Sequence, residues 1–116
     1  MIKEWKQYEL YVDNGSYGVL VSSGFGAGWS TWNKKYPTIA TDKRIIKYFI
    51  ENRVDEDDYE NFKLFCDEFT KYIERIGYEN ATTIGIEGLY LEWVPLPNKY
   101  EIKEHDGREE LYIIYD

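Results

Sequence analysis

Residues 59–77 read YENFKLFCDEFTKYIERIG, and no other stretch of the chain constrains the architecture as strongly. Apolar side chains recur at spacings of three and four, which predicts an amphipathic helix with one buried face. The helix is predicted to open with the acidic residues 55–58, where the helix dipole favours negative charge, and Arg75 and Gly77 are typical of its end. The rest of the chain must cover the apolar stripe, which comprises Tyr59, Phe62, Phe65, Cys66, Phe69, Ile73 and Ile76.

A shorter helix is predicted just upstream. Residues 45–50 carry four apolar side chains at helical spacing, and Thr41 or Asp42 is a suitable N-cap. The two helices therefore form a pair in the middle of the chain.

Strands are predicted on both sides of this pair. Between residues 8 and 21, apolar and polar side chains alternate around Asn14-Gly15, a strong hairpin signal. Residues 84–94 predict a third strand, and Asp106-Gly107 predicts a second hairpin turn within residues 100–115. The order is ββ-loop-αα-βββ. We expect an α+β fold in which a mainly antiparallel sheet of about five strands packs against the two-helix pair.

Composition limits the classes of partner. The 116 residues suit a single domain spanning 1–116, and the formal charge of -8 disfavours general nucleic-acid binding and anionic membranes. No apolar run is long enough for a membrane helix, and the N-terminus lacks the apolar core of a signal peptide. The single cysteine, Cys66, fits a reducing compartment. We therefore expect a cytoplasmic protein.

The loop GFGAGWSTWN at residues 24–33 is the first candidate site. Its three alternating glycines allow close approach of backbone N–H groups to an anion, and hydroxyls, tryptophans and cations surround it. We expect a small anionic, nucleotide-like ligand here, with Trp29 or Trp32 stacking on a planar ring. The predicted ligand-binding residues are Ser23, Gly24, Gly26, Gly28, Trp29, Ser30, Trp32, Asn33, Lys34, Lys43 and Arg44. An alternative stays open, in which the glycines only let the tryptophans pack into the core.

Catalysis has little support in the sequence. The only histidine, His105, adjoins a predicted turn and is expected to be exposed, and Cys66 lies on the apolar stripe. Neither belongs to a spacing typical of a metal site or a catalytic dyad, so we predict no metal and no cofactor. Glu92 and Glu101 on adjacent predicted strands remain the one acid and base pair to consider.

A second candidate surface is the acidic helix, residues 55–76. Residues 55–79 carry nine acidic and three basic side chains, and carboxylates spaced along a helix can imitate DNA phosphates. Twelve tyrosines also predict a tyrosine-rich sheet suited to an interface. The alternative function is therefore a stoichiometric protein–protein inhibitor that uses this helix and the sheet.

Three segments, GVLVSSGFGAGWSTWN (18–33), DKRIIKYFI (42–50) and LEWVPLPNKYEIKEHDGREEL (91–111), resemble a family of small uncharacterised proteins of bacteriophages and bacteria. The resemblance implies no activity, but it implies a phage or prophage setting. Small acidic proteins of that setting often counter host defence by sequestering a nucleotide signal or by binding a defence protein. The leading expectation is thus a non-enzymatic binder of a nucleotide-like signal, with inhibition of a host defence protein as the alternative. An exposed edge strand also makes a homo-oligomer conceivable.

Overall fold

A computed structural model describes residues 9–24 and 28–116, and its fold is α+β, as predicted. About 31% of the chain is helical and 29% is in strands. The elements are β1 (Val12–Asp13), β2 (Ser16–Ser22), α1 (Lys43–Asn52), α2 (Tyr59–Arg75), β3 (Leu89–Pro95), β4 (Lys99–His105) and β5 (Arg108–Ile114), with short 3₁₀ turns at Ser30–Trp32 and Ile86–Gly88.

Both predicted hairpin turns are confirmed. Asn14 and Gly15 have φ of 50° and 76°, and Asp106 and Gly107 have φ of 50° and 88°, the left-handed conformations that such turns require. The first strand is shorter than predicted, since β1 holds only two residues. Tyr8, which was predicted to belong to it, lies outside the described residues.

The strands form two sheets rather than one. In the first sheet β2 lies between β1 and β3, and all its pairings are antiparallel; in the second, β4 pairs only with β5. The rings of Tyr17 on β2 and Tyr100 on β4 are 6.2 Å apart, so the hairpin packs against the first sheet. Together with α1, whose Ile46 side chain lies 3.1 Å from where a Cβ of Gly18 would be, this packing buries β2 from Tyr17 to Ser22, which explains why its near-continuous apolar run does not alternate clearly.

Segment 83–88 also differs from the prediction of one long strand. A Cβ at Gly85 would lie 2.6 Å from the Gly28 carbonyl oxygen, so the two backbones touch and the chain turns through a 3₁₀ segment instead. Strand β3 therefore begins only at Leu89.

The helix pair is confirmed. Asp42 caps α1 by accepting a hydrogen bond from the Arg44 N–H at 2.9 Å, and Gly77 follows α2 with φ of 120°. The α2 stripe buries Phe62, Phe65, Phe69 and Ile73.

One member of the predicted stripe is misplaced. Tyr59 is 63% exposed, because it begins α2 one turn before the helix reaches the core at Phe62. The predicted start of this helix at residue 55 is also wrong, since the acidic residues 55–58 precede its first helical residue and Asp58 is the N-cap position.

Candidate functional site

The glycine-rich loop binds an anion, and that anion belongs to the protein itself. Glu109 on β5 is 1% exposed, and both of its carboxylate oxygens face the loop. Oε1 accepts from the Ser22 N–H at 2.9 Å, and Oε2 accepts from the Trp29 and Thr31 N–H groups at 2.9 Å each. The Thr31 hydroxyl donates to Oε2 as well, at 2.5 Å. The loop thus presents a cluster of donors, but Ser22 and Thr31 are not among the predicted ligand-binding residues, and Glu109 of the hairpin occupies the cluster.

The same contact completes the edge of β2 that faces away from β3. Along this edge the Gly18 N–H donates to the Tyr11 carbonyl and the Leu20 N–H donates to the Ala40 carbonyl. The next donor is Ser22, and Glu109 takes the place of a carbonyl there. Glu109 thus joins the hairpin, the loop and the central strand.

The two loop tryptophans have opposite surroundings. Trp29 is fully buried with its ring 6.4 Å from that of Phe69, and its Nε1–H has no hydrogen-bond partner among the described residues. Trp32 is 43% exposed, and its Nε1–H donates to Glu104 at 2.8 Å. Stacking on a ligand by Trp29 therefore conflicts with its burial, whereas Trp32 presents part of its ring to solvent.

The predicted polar donors are largely engaged within the fold. The Ser23 N–H and hydroxyl both donate to the Gly88 carbonyl, at 2.9 and 3.1 Å. Buried Asn33 donates to the Trp29 carbonyl at 2.9 Å and accepts from the Thr82 N–H at 2.7 Å. These bonds tie the loop to segment 82–88, as the Gly28–Gly85 contact does. Of the remaining loop positions, Gly24 and Ser30 are half-buried, Gly28 is buried, and Gly26 lies outside the described residues.

The predicted cations lie in a different network. Arg44 binds fully buried Asp42, with Nη2 2.8 Å from Oδ2 and Nε 3.1 Å from Oδ1. The Tyr78 hydroxyl donates to Asp42 at 2.6 Å, and burial followed by this bond raises the pKa of Tyr78. Lys43 forms an exposed pair with Glu9 at 3.4 Å, and Lys34 is exposed. Arg44 thus holds the start of α1 against the end of α2.

Residues 55–60, at and just before the start of α2, carry exposed charges with apolar neighbours. All five carboxylates of residues 55–60 are exposed, and within the described part of the chain none of them forms an ion pair. Tyr59 and Leu64, 63% and 59% exposed, stand among them. We call residues 54–68 the α2 acidic surface.

Two grooves are lined in large part by residues of this surface. The first, which we call the α1–α2 groove, has a volume of about 340 Å³. The second, of about 280 Å³, lies where α2 meets the 3₁₀ turn at Ile86–Gly88. The α1–α2 groove is lined by Tyr48, Asn52, Val54, Asp58, Asn61, Leu64, Phe65 and Glu68, and the second by Glu56, Tyr59, Phe62, Lys63 and Glu87.

The tyrosine-rich sheet offers less contact area than its composition suggests. Tyr17 is buried, and Tyr90 and Tyr100 are half-buried. Tyr112 is the exposed tyrosine of the described strands, at 45%. The strand tyrosines therefore add little exposed area, although other apolar side chains of the strands, Trp93 and Ile114 among them, are exposed.

The residues considered for catalysis stay apart. Glu92 lies on β3 and Glu101 on β4, which belong to different sheets, so the expectation of adjacent strands is wrong. His105 is exposed at the hairpin turn, as predicted. Burial, followed by repulsion from Glu87 and Asp67, raises the pKa of the Cys66 thiol to about 11, which disfavours a nucleophilic thiolate.

Residues 9–24 and 28–116 lack two further kinds of feature, a metal-binding cluster and a membrane-spanning helix. They hold no group of three or more His, Cys, Asp or Glu residues arranged to bind a metal ion. None of their helices is long and apolar enough to cross a membrane.

Comparison with known proteins gives no relative. No family model, no curated protein and no solved structure matches the chain. The resemblance to small phage and bacterial proteins thus stays a prediction, and any assignment of function depends on the geometry above.

Proposed function

We propose that this protein is a non-enzymatic, stoichiometric binder of another protein, and that the α2 acidic surface contacts a basic face of that partner. The proposal depends on one observation above all: Tyr59 and Leu64 are largely exposed among five carboxylates that form no ion pair with described residues. Exposed aromatic and aliphatic side chains supply interface energy, and charges around them steer and select the partner.

Charge identifies the partner class. Residues 55–79 carry nine acidic and three basic side chains, so this region repels acidic proteins and nucleic acids. A basic protein surface, such as one that itself binds DNA, is attracted to the same region and associates faster at low salt. In the phage setting that the resemblance implies, a host defence protein is the natural candidate.

The nucleotide-like ligand of the loop has weaker geometric support. The amides at positions 29 and 31 bind Glu109, Trp29 is buried, and Arg44 binds Asp42. A phosphate at the loop would have to displace a buried carboxylate from its four hydrogen bonds. No such competition exists at the α2 acidic surface, whose carboxylates face solvent.

The test is affinity capture from extracts of the cells that carry the gene. One bait is the wild-type protein, and a second carries lysine at Asp55, Asp57, Asp58 and Glu60. Because lysine opposes the helix dipole at the start of α2, a third bait carries the neutral Asn and Gln substitutions at the same positions. Circular dichroism confirms that each bait is folded.

A matched control bait carries the same charge change away from α2, with lysine at Asp13, Glu101, Glu110 and Asp116, all of which are exposed. We expect a partner that binds the wild-type and control baits in a 1:1 complex, is weakened by the neutral bait and is lost from the reversed bait. Equal capture of every protein by the wild-type and reversed baits would refute the proposal.

A further inference from the structure

The α1–α2 groove has an apolar floor and walls made of two helices. Val54 and Phe65 line it together with Leu64, whose side chain is 59% exposed. Phe65 is itself fixed in the core, with its ring 6.0 Å from Phe49 and 5.5 Å from Phe69. Phe65 is therefore already buried, and Leu64 is the apolar side chain of this groove that a partner can still bury.

Negative charge lies towards both ends of this groove. Asp58, the N-cap of α2, and Glu68, ten positions later on that helix, both line it, and this spacing corresponds to a rise of about 15 Å. Asp58 accepts from the Asn61 side-chain amide at 2.8 Å. Glu68 lies 3.5 Å from Lys71, an exposed pair of the kind that contributes little and exchanges easily. A partner that presents cations about 15 Å apart with apolar groups between them would match this pattern.

The groove walls also restrict the backbone of the partner. Both walls are α-helices, whose interior N–H and C=O groups already bond within each helix. An extended segment would find no strand edge here and would leave its own N–H and C=O groups unpaired against the apolar floor. A helix satisfies those groups internally and packs by side chains alone.

From this geometry, and resting on the proposed function, we infer that the α1–α2 groove receives one basic amphipathic helix of the partner. Its apolar side chains, at a spacing of three and four residues, cover Leu64, Val54 and Phe65. Lysine or arginine side chains about ten residues apart pair with Asp58 and Glu68.

The test uses a displayed library of random peptides of about 20 residues, long enough for a helix that spans both carboxylates. The library is selected on the wild-type protein, and the affinity of each enriched peptide is measured by fluorescence anisotropy. Two variants are compared: Leu64→Ser within the groove and Ile84→Ser outside it. Ile84 is a matched control because it is exposed to a similar degree, 65%.

We expect enriched peptides with helical apolar spacing and basic residues near both ends. Their affinity should fall about tenfold on Leu64→Ser and stay unchanged on Ile84→Ser. Peptides without helical spacing, equal effects of the two substitutions, or no enrichment at all would each overturn the inference.

The proposed function can hold even if the inference about the groove fails. If the charge-reversed bait loses a cellular partner while Leu64→Ser has no effect on that partner or on the peptides, the acidic surface binds proteins but the groove does not receive a helix. If neither change affects binding, both ideas fail.

Discussion

Replacing Glu109 with alanine removes the carboxylate that joins the β4–β5 hairpin to both the loop and β2 by hydrogen bonds. Three backbone N–H groups and one hydroxyl lose their acceptor. Hydrogen bonds to a charged group contribute about 1.5–3 kcal/mol each, but the substitution also removes the cost of burying a carboxylate, which is several kcal/mol. We therefore expect Glu109→Ala to lower the free energy of unfolding by about 3–5 kcal/mol.

Glutamine at the same position provides a finer test. Three of the four donors bind Oε2 and only the Ser22 N–H binds Oε1. A glutamine whose oxygen takes the Oε2 position keeps three bonds and directs its NH₂ group at the Ser22 N–H. Glu109→Gln should therefore cost about 1–3 kcal/mol, the penalty for one unsatisfied buried donor.

Urea denaturation followed by circular dichroism measures both losses, with Glu110→Gln as the control. Glu110 is the exposed neighbour on β5, so its substitution should change stability by less than about 0.5 kcal/mol. A Glu109→Ala protein within about 1 kcal/mol of the wild type would show that the loop does not depend on this carboxylate.

Four further outcomes are expected. At pH 8 the raised pKa of Cys66, about 11, leaves about a hundredfold less thiolate than in the unfolded chain, so iodoacetamide should label the native protein far more slowly than the protein in urea. Since the unfolded thiol ionises first, the cysteine contribution to stability should be lost as pH rises from 9 towards 11, and a Cys66→Ala variant should lack that loss in urea melts. Arg44→Ala leaves buried Asp42 without its cation and should cost about 2 kcal/mol in the same melts; an unchanged midpoint would contradict this. Gly85→Ala places a Cβ 2.6 Å from the Gly28 carbonyl, so it should lower the thermal midpoint, whereas Gly24→Ala, with open space around it, should have a smaller effect.

Local patterns in the sequence predicted the elements well. Asn14-Gly15 and Asp106-Gly107 adopt left-handed turns because few other residue pairs tolerate them, and the α2 stripe follows from helical spacing alone. The division into two sheets was not predictable in this way. It depends on β2 being buried by the hairpin, and alternation within one strand does not show which other strand covers it.

Local sequence patterns also could not predict which distant residue occupies the candidate site. The loop composition correctly indicates amide groups ready to bind an anion, but Glu109 lies about 80 positions away from Trp29. One local signal was present: within REELYII, Glu109 alternates with Leu111 and Ile113, so it lies on the inward face of β5. A carboxylate at an inward position needs buried donors, and the loop supplies them.

We propose that this protein meets its partner at the α2 acidic surface rather than at the loop. Amide-resolved NMR during titration with the captured partner tests it most directly, because each backbone N–H reports on its own surroundings. We expect chemical-shift changes at residues 54–68 on the α2 acidic surface and unchanged amides at Trp29 and Thr31. Changes confined to residues 28–34 and 43–44 would contradict the claim and assign the function to the loop.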